Sequence, residues 1–398
     1  MPSTTDATDA TQSSVHLDAI RGAAALVVLA GHNSDLYFSS VNGRPNEASH
    51  APGSQITRPD LAPPKKAQIT IGNEAVMIFF VLSGFLVGGG VIRSLRQNTW
   101  SWKNYLIKRM TRLWVVLIPA LVFGVALDFA GLHLHPLPTS IYAAPPQQSV
   151  VHDVAGHLRP IVILGNAIFL QGSQVGTAGT NDSLWSLSNE FWYYMAFPII
   201  LLVFSRKQAP WLRVVYLLSF GAIGLLVGKN ISLLFFVWVL GAVVSVIPLK
   251  IPYGIARIIG GTLALSLPIV FVVIRRAPIS YRAAQWAIAL YFAIVLYLLL
   301  HQTHRARNGI YQSIAGFFSR MSYSTYLVHM PVAVFLCAYL NSPWRRWERS
   351  PGNLAIFSGT CLILILSGYV FYLAFEANTD KVRKLLFSDV RREKHLPT

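Results

Sequence analysis

The chain has 398 residues, of which 54% are hydrophobic and only 12% charged, with a mean hydropathy of +0.49. That balance excludes a water-soluble globule. The formal charge of +17, from 33 basic and 16 acidic residues, sits in short clusters between long apolar runs, which read as topology signals and contacts to membrane lipid rather than as a nucleic-acid surface, so no nucleic-acid partner is expected.

At roughly 20 mostly apolar residues per span, the expected fold is an all-α polytopic transmembrane helix bundle of about ten spans. Residues 1–16 hold no Lys or Arg and are rich in Ser and Thr, unlike the start of a signal peptide. They read as a disordered cytoplasmic N-terminus before a retained first helix. Apolar runs then place helices near 17–38, 74–92, 113–131, 184–204, 214–228, 231–248, 258–274, 283–301, 322–340 and 354–376, followed by a basic cytoplasmic tail, 377–398. With the N-terminus inside, most of the basic residues fall in cytoplasmic segments, among them Arg93, Arg96, Lys108, Arg109, Arg112, Arg206 and Lys207. Both termini are therefore expected in the cytoplasm, although Arg275, Arg276, Arg282, Arg345, Arg346 and Arg349 fall on the other side.

Within the membrane domain, 17–376, two outer loops are long: 39–73 and 132–183. The second contains His133, His135, His152 and His157, whose irregular spacing and lack of an acidic partner motif predict no metal site. It also contains IVILGNAIFL, 161–170, too short to span and read as a re-entrant or interfacial helix. Cys337 and Cys361 both lie in apolar runs, where a thiol packs as a small hydrophobe.

Ionisable groups inside a bilayer are costly unless paired or solvated, so each marks a candidate functional position. The first helix carries Asp18, Arg21 and His32. Eleven residues at 100° each bring His32 within about 20° of the Arg21 face and roughly 16 Å further along the axis, which directs both into one polar seam. An Asp18–Arg21 interfacial ion pair with a packed histidine is the plainer alternative.

This helix resembles the opening LDxxRG…H signature of the membrane acyltransferase-3 family. Four further segments resemble the family in order: Phe79-Phe80-Val81-Leu82-Ser83-Gly84-Phe85; Arg109-Met110-Thr111-Arg112 with Pro119; Trp185-Ser186-Leu187 with Glu190, Tyr193, Tyr194 and Pro198; and Ser322-Tyr323-Ser324 with Tyr326-Leu327 and His329-x-Pro331. The family often places an acidic residue where Ala75-Val76-Met77-Ile78 stands here, with Glu74 just before. It also often carries an extra hydrolase-like domain, for which nothing after Asp389 provides; a partner protein completing the transfer is one consequence weighed.

The resemblance implies a multi-pass inner-membrane enzyme. It would move a short acyl group, most often acetyl, from cytoplasmic acetyl-CoA or another short acyl-CoA to a hydroxyl of a glycan or glycolipid acceptor, with no metal. His32 is then the expected general base, since imidazole titrates near working pH, with Asp35 one turn later to fix its tautomer. Arg21 completes the polar seam, and Glu190 is expected to orient His32 or bind the acceptor. Arg109 and Arg112, three apart on one helical face, are expected to clamp the CoA phosphates, the alternative being a topology anchor. Ser322, Tyr326 and His329 form one stripe expected to line the donor path. Ser83 could be read as an acyl nucleophile, but the small Ser83-Gly84 pair is expected to serve close helix packing. A proton-coupled transporter or flippase of the same architecture, and an acyltransferase acting on a small secreted metabolite, are the competing readings. The absence of an inverted repeat argues against the transporter.

Overall fold

The computed structural model describes residues 11–38, 71–135, 139–143, 151, 153–302, 304 and 309–385. Most of the 39–73 loop, His152, and the ends 1–10 and 386–398 lie outside the described residues. The chain is an all-α bundle: α1 (Gln12–Tyr37), α2 (Ile71–Ser83), a π-helical turn (Gly84–Gly88), α3 (Gly89–Arg96), α4 (Trp102–Leu134), the short α5 (Val154–His157) and α6 (Pro160–Ala167), α7 (Trp185–Val203), α8 (Pro210–Val244), α9 (Tyr253–Arg276), α10 (Tyr281–Leu299), α11 (Ile310–Leu340) and α12 (Pro351–Ala374). Among the described residues only two isolated β-bridges occur.

Among the described residues, eight helices are long and apolar enough to cross a membrane by length and composition, against the ten runs expected. Two local features account for the difference. The α7 segment opens on Trp185-Ser186-Leu187-Ser188-Asn189-Glu190, so its first turns are polar, and it is not among the eight. The runs 214–228 and 231–248 are fused into α8, which breaks at Gly228 (φ 75°, ψ 177°), a conformation reserved for glycine. Phe220 and Phe235 nevertheless meet with ring centroids 6.3 Å apart. Fifteen residues of straight helix would separate them by roughly 22 Å, so α8 is a hairpin of two antiparallel arms.

The bundle has two distinct ends. At the near end, α1 begins against the segment after α10, with Gln12 N donating to His304 O (2.8 Å) and Ser13 N to Gln302 O (3.0 Å). At the far end, Trp347 N donates to Tyr37 O (2.6 Å), and Arg346 Nη1 caps α1 through Asp35 O (2.9 Å) and Phe38 O (2.6 Å). Burial pushes the Arg346 guanidinium below its usual range, against the opposing pull of Asp35.

The α6 helix carries Ile161, Leu164 and, just past its end, Ile168 exposed on one side, as suits an interfacial segment. It is anchored from the other side: Asn166 is buried and bonds to Val162 O, Gly176 O and Ala178 N. The following strap is tied to α4 by Asp128, whose carboxylate accepts from Thr180 N and Thr180 Oγ1 (both 2.8 Å).

The central helices approach closely where glycine permits it. A side chain at Gly84 or Gly241 would collide with the backbone of the facing element, Trp238 O and Val81 O respectively. This is the small-residue contact that lets membrane helices pack backbone to backbone.

Candidate functional site

Three motif prolines, Pro119, Pro198 and Pro331, lie inside helices and each leaves a carbonyl without its helical donor; at two of them a neighbouring side chain supplies it. Pro331 in α11 orphans Leu327 O; Asn181 Nδ2, from the strap before α7, supplies the missing bond at 2.8 Å. Pro198 in α7 orphans Tyr194 O; Tyr105 Oη, from α4, donates to it at 2.9 Å. Pro198 and Pro331 thus create acceptors inside the bundle, and neighbouring elements are docked onto them.

Between these elements lies a cavity of about 220 Å³. Arg21 of α1, Arg109 and Arg112 of α4, Glu190 and Tyr194 of α7, Ser83 of α2 and the α11 residues Ser322, Tyr323 and Tyr326 supply its polar wall. The Glu190 carboxylate accepts from Ser83 Oγ (2.6 Å) and from Tyr194 Oη. Trp238 Nε1 donates to Ser83 Oγ (3.0 Å). Within the Ser83-Gly84 pair, the close packing rests on Gly84, while Ser83 is a hydrogen-bond junction. It stands at the entrance to the π-helical turn, a distortion that frequently accompanies functional sites.

The three arginines differ in their partners. Arg21 Nη1 lies 3.8 Å from Asp18 Oδ1, and Ser319 Oγ bridges them, donating to Asp18 Oδ1 (2.7 Å) and accepting from Arg21 Nη1 (3.4 Å). Arg112 Nη1 is paired at 2.6 Å with Glu376 Oε1, whose other oxygen accepts from Ser324 N and Ser324 Oγ. This pair ties α4, α11 and the turn after α12 together. Arg109 stands over the Tyr194 ring at 5.8 Å, and among the described residues its buried Nε has no hydrogen-bond partner. Arg109 is thus the member of the expected clamp with unspent donors, and Arg112 is already engaged.

Of the Ser322, Tyr326 and His329 stripe, Ser322 and Tyr326 line the cavity and His329, one turn on, does not. Its Nε2 lies 2.9 Å from His32 Nδ1, and the two rings stack with centroids 5.2 Å apart and planes 14° apart. His329 Nδ1 sits 2.8 Å from Tyr326 O and 3.2 Å from Thr325 O. A carbonyl can only accept, so His329 Nδ1 carries the proton. With both rings neutral, His329 Nε2 then accepts from His32 Nδ1–H, which places the lone pair of His32 on Nε2. His329 is thus a direct partner of His32, one that the sequence, which points to Glu190 or Asp35, does not name.

Gly72 of α2 packs against that edge of the ring: a methyl group there would come within 2.9 Å of His32 Cδ2 and Nε2. Tyr326 joins the two regions. Its ring lies 5.7 Å from His329, and its hydroxyl meets Ser186 Oγ (2.6 Å) on the cavity wall and donates to Ser183 O (3.0 Å). Glu74 is fully buried in the first turn of α2.

The sequence could not show the His32–His329 pair, because 297 residues separate them. The usable signal was chemical: two histidines in different spans are each cheaper in contact with the other than alone.

A helical membrane bundle with a buried cationic cavity beside a paired histidine defines a multi-pass membrane protein with a polar, ligand-sized interior site. The chain belongs to the membrane acyltransferase-3 family, whose model, described as an acyltransferase domain, matches residues 15–372. A curated relative, an uncharacterized protein of Haemophilus influenzae, is 30% identical over 140 residues, which is 33% of this chain and 49% of that protein. The matched region thus spans about half of that relative's length. No solved structure matches the chain.

Proposed function

We propose that the protein transfers a short acyl group, acetyl in the first instance, from an acyl-CoA to a hydroxyl of a cell-surface or exported glycan. In this reading the near end of the bundle faces the cytoplasm and the membrane is the inner membrane. The observation that carries the proposal is the cavity itself. It joins three guanidinium groups, one with unspent donors, to the wall that leads through Tyr326 to an oriented imidazole.

A cavity of about 220 Å³ is far smaller than a whole coenzyme A. It suits the thioester end of the donor, while Arg109 and its neighbours meet anionic groups of the remainder, a guanidinium being well matched to phosphate. His32 Nε2 removes the proton from the acceptor hydroxyl. The oxygen then attacks the thioester carbonyl carbon, the carbon–sulfur bond breaks, and the departing thiolate takes a proton from the His32 imidazolium. Ester and free coenzyme A result, with atoms and charge balanced. Glu190, held by Ser83 and Tyr194, offsets the positive charge of the arginines and fixes the inner wall.

The test uses membrane vesicles containing the protein and acetyl-CoA labelled in the acetyl group. Acyl transfer predicts release of free coenzyme A thiol together with label in base-labile O-esters of the glycan fraction. Movement of label without thioester consumption would identify a transporter instead. Arg109→Ala should weaken acyl-CoA binding about tenfold or more, the loss of one or two charge-assisted hydrogen bonds. Unchanged donor binding at equal abundance would return Arg109 to the role of topology anchor.

A further inference from the structure

A second cavity, of about 350 Å³, opens at the far end of the bundle, between the start of the second α8 arm and the start of α10. Its wall combines three aromatic rings, Trp185, Tyr281 and Trp286, with the polar side chains of Asn230, Arg282 and Gln285. Arg282 Nη2 donates to Asn230 Oδ1 at 2.7 Å, which ties α10 to the α8 turn and leaves the guanidinium partly satisfied at the rim. Gln285 stands apart. It is only 5% exposed, it lines the cavity, and no described residue hydrogen-bonds its amide.

A buried carboxamide needs partners for both its oxygen and its NH2 group. The occupant must therefore donate and accept at once, between flat apolar walls. A hydrocarbon chain satisfies the walls and abandons Gln285. A cation finds no carboxylate among the lining residues. A sugar ring meets both demands: its C–H face packs on an aromatic ring, and neighbouring hydroxyls each donate and accept.

We propose that this cavity is a binding subsite for a neutral glycosyl unit, with the Gln285 amide bridging two of its hydroxyls against Trp185 and Trp286. Its position gives the subsite a purpose. Trp185 packs edge-on against Phe80, with centroids 6.1 Å apart, and Phe80 also lines the arginine cavity. The two cavities are back to back, separated by one pair of aromatic rings. The subsite would hold the acceptor glycan, and so this inference rests on the acyl-transfer reading for its biological meaning, although sugar binding itself does not require catalysis.

Saturation-transfer difference NMR tests it on the full chain in lipid nanodiscs, with no acyl-CoA present and with maltose, lactose and N,N′-diacetylchitobiose as probes. Saturable transfer to the sugar C–H protons is expected from at least one probe. Binding should weaken at least about tenfold in Gln285→Leu and in Trp286→Ala, with monodisperse protein and wild-type acyl-CoA binding in both variants as the check on folding. His32→Ala should bind the sugar as wild type does, so loss of the acyl-transfer reading would leave this result standing. Absence of saturable transfer from all three sugars, or binding indifferent to both substitutions, overturns the subsite even where vesicles still consume acyl-CoA.

Discussion

A hydrogen-bonded imidazole pair has a direction, and at His32 and His329 that direction is set by the backbone of α11. The carbonyls of Thr325 and Tyr326 fix the proton on His329 Nδ1, His329 Nε2 accepts from His32, and the basic nitrogen of His32 is the one beside Gly72. Removing a general base costs about 10² to 10⁴ in rate. His32→Ala should therefore insert at normal abundance and lose activity on that scale, as measured by coenzyme A release. His329→Gln, whose carboxamide oxygen can still accept from His32, should retain more activity than His329→Ala; equal loss in the two would remove the orienting role. Arg112 behaves differently, since its partner Glu376 is almost fully enclosed. Arg112→Ala leaves that carboxylate with only its Ser324 bonds, at an expected cost of about 1–3 kcal/mol, visible as a lowered midpoint of thermal unfolding in detergent. Arg112→Ala combined with Glu376→Gln should recover part of that loss, because the stranded charge is gone. The motif spacing made Arg21, Arg109, Arg112, Glu190 and His32 legible as candidates. It did not separate the arginine with unspent donors from the paired one, because Glu376 lies 264 residues beyond Arg112 and pairing depends on how α4 meets the end of α12.

Among the elements, α11 shows why a proline belongs in a spanning helix. Pro331 leaves Leu327 O without a donor inside the bundle, where water is scarce, and Asn181 meets it at 2.8 Å. The strap before α7, and with it Ser183 and Ser186 beside Tyr326, is thereby held against α11. Asn181→Leu should cost about 1–3 kcal/mol, the penalty of one stranded buried carbonyl. In a Pro331→Ala background position 331 regains its N–H, α11 satisfies Leu327 itself, and the same Asn181→Leu change should cost distinctly less. A double-mutant cycle on unfolding midpoints measures the coupling; additive effects would show that the two residues act independently. Apolar run lengths revealed nearly every helix in the sequence, including α6 as a piece too short to span. The strap was invisible to that reading because residues 169–184 carry no periodic pattern, and their backbone is ordered by single polar contacts such as those of Asn166, Gln171 and Asn181.

For the whole molecule, the consequential element is the α8 hairpin, because the number of crossings in residues 210–244 decides which end every later helix reaches. Read by length alone, 35 continuous helical residues make one tilted span. The contacts along the two arms decide otherwise. Tyr216, in the first arm, accepts a hydrogen bond from Trp102 Nε1 at the start of α4, and Ser245, just past the second arm, faces Gly89 at the start of α3. Both are near-end neighbours. Around the break, Leu226 O accepts from Gln174 Nε2 and Asn230 from Arg282, both far-end neighbours. The turn is made without a loop because Gly228 adopts φ 75°, ψ 177°, which costs any other residue roughly 1–3 kcal/mol. Single cysteines at positions 207, 230 and 248, in a chain with Cys337 and Cys361 replaced by serine, give the measurement. A membrane-impermeant maleimide applied to intact cells should label position 230 alone, and permeabilised cells should add 207 and 248 together. Labelling that puts 207 and 248 on opposite sides would make α8 a single span, reverse α9 through α12, and separate the arginine cavity from the sugar-sized cavity by a different path. Gly228→Ala should lower stability by about that strain energy while leaving the labelling sides unchanged, since the ring contact of Phe220 with Phe235 and the bond from Tyr193 Oη to Ile231 O (2.9 Å) continue to hold the arms in place.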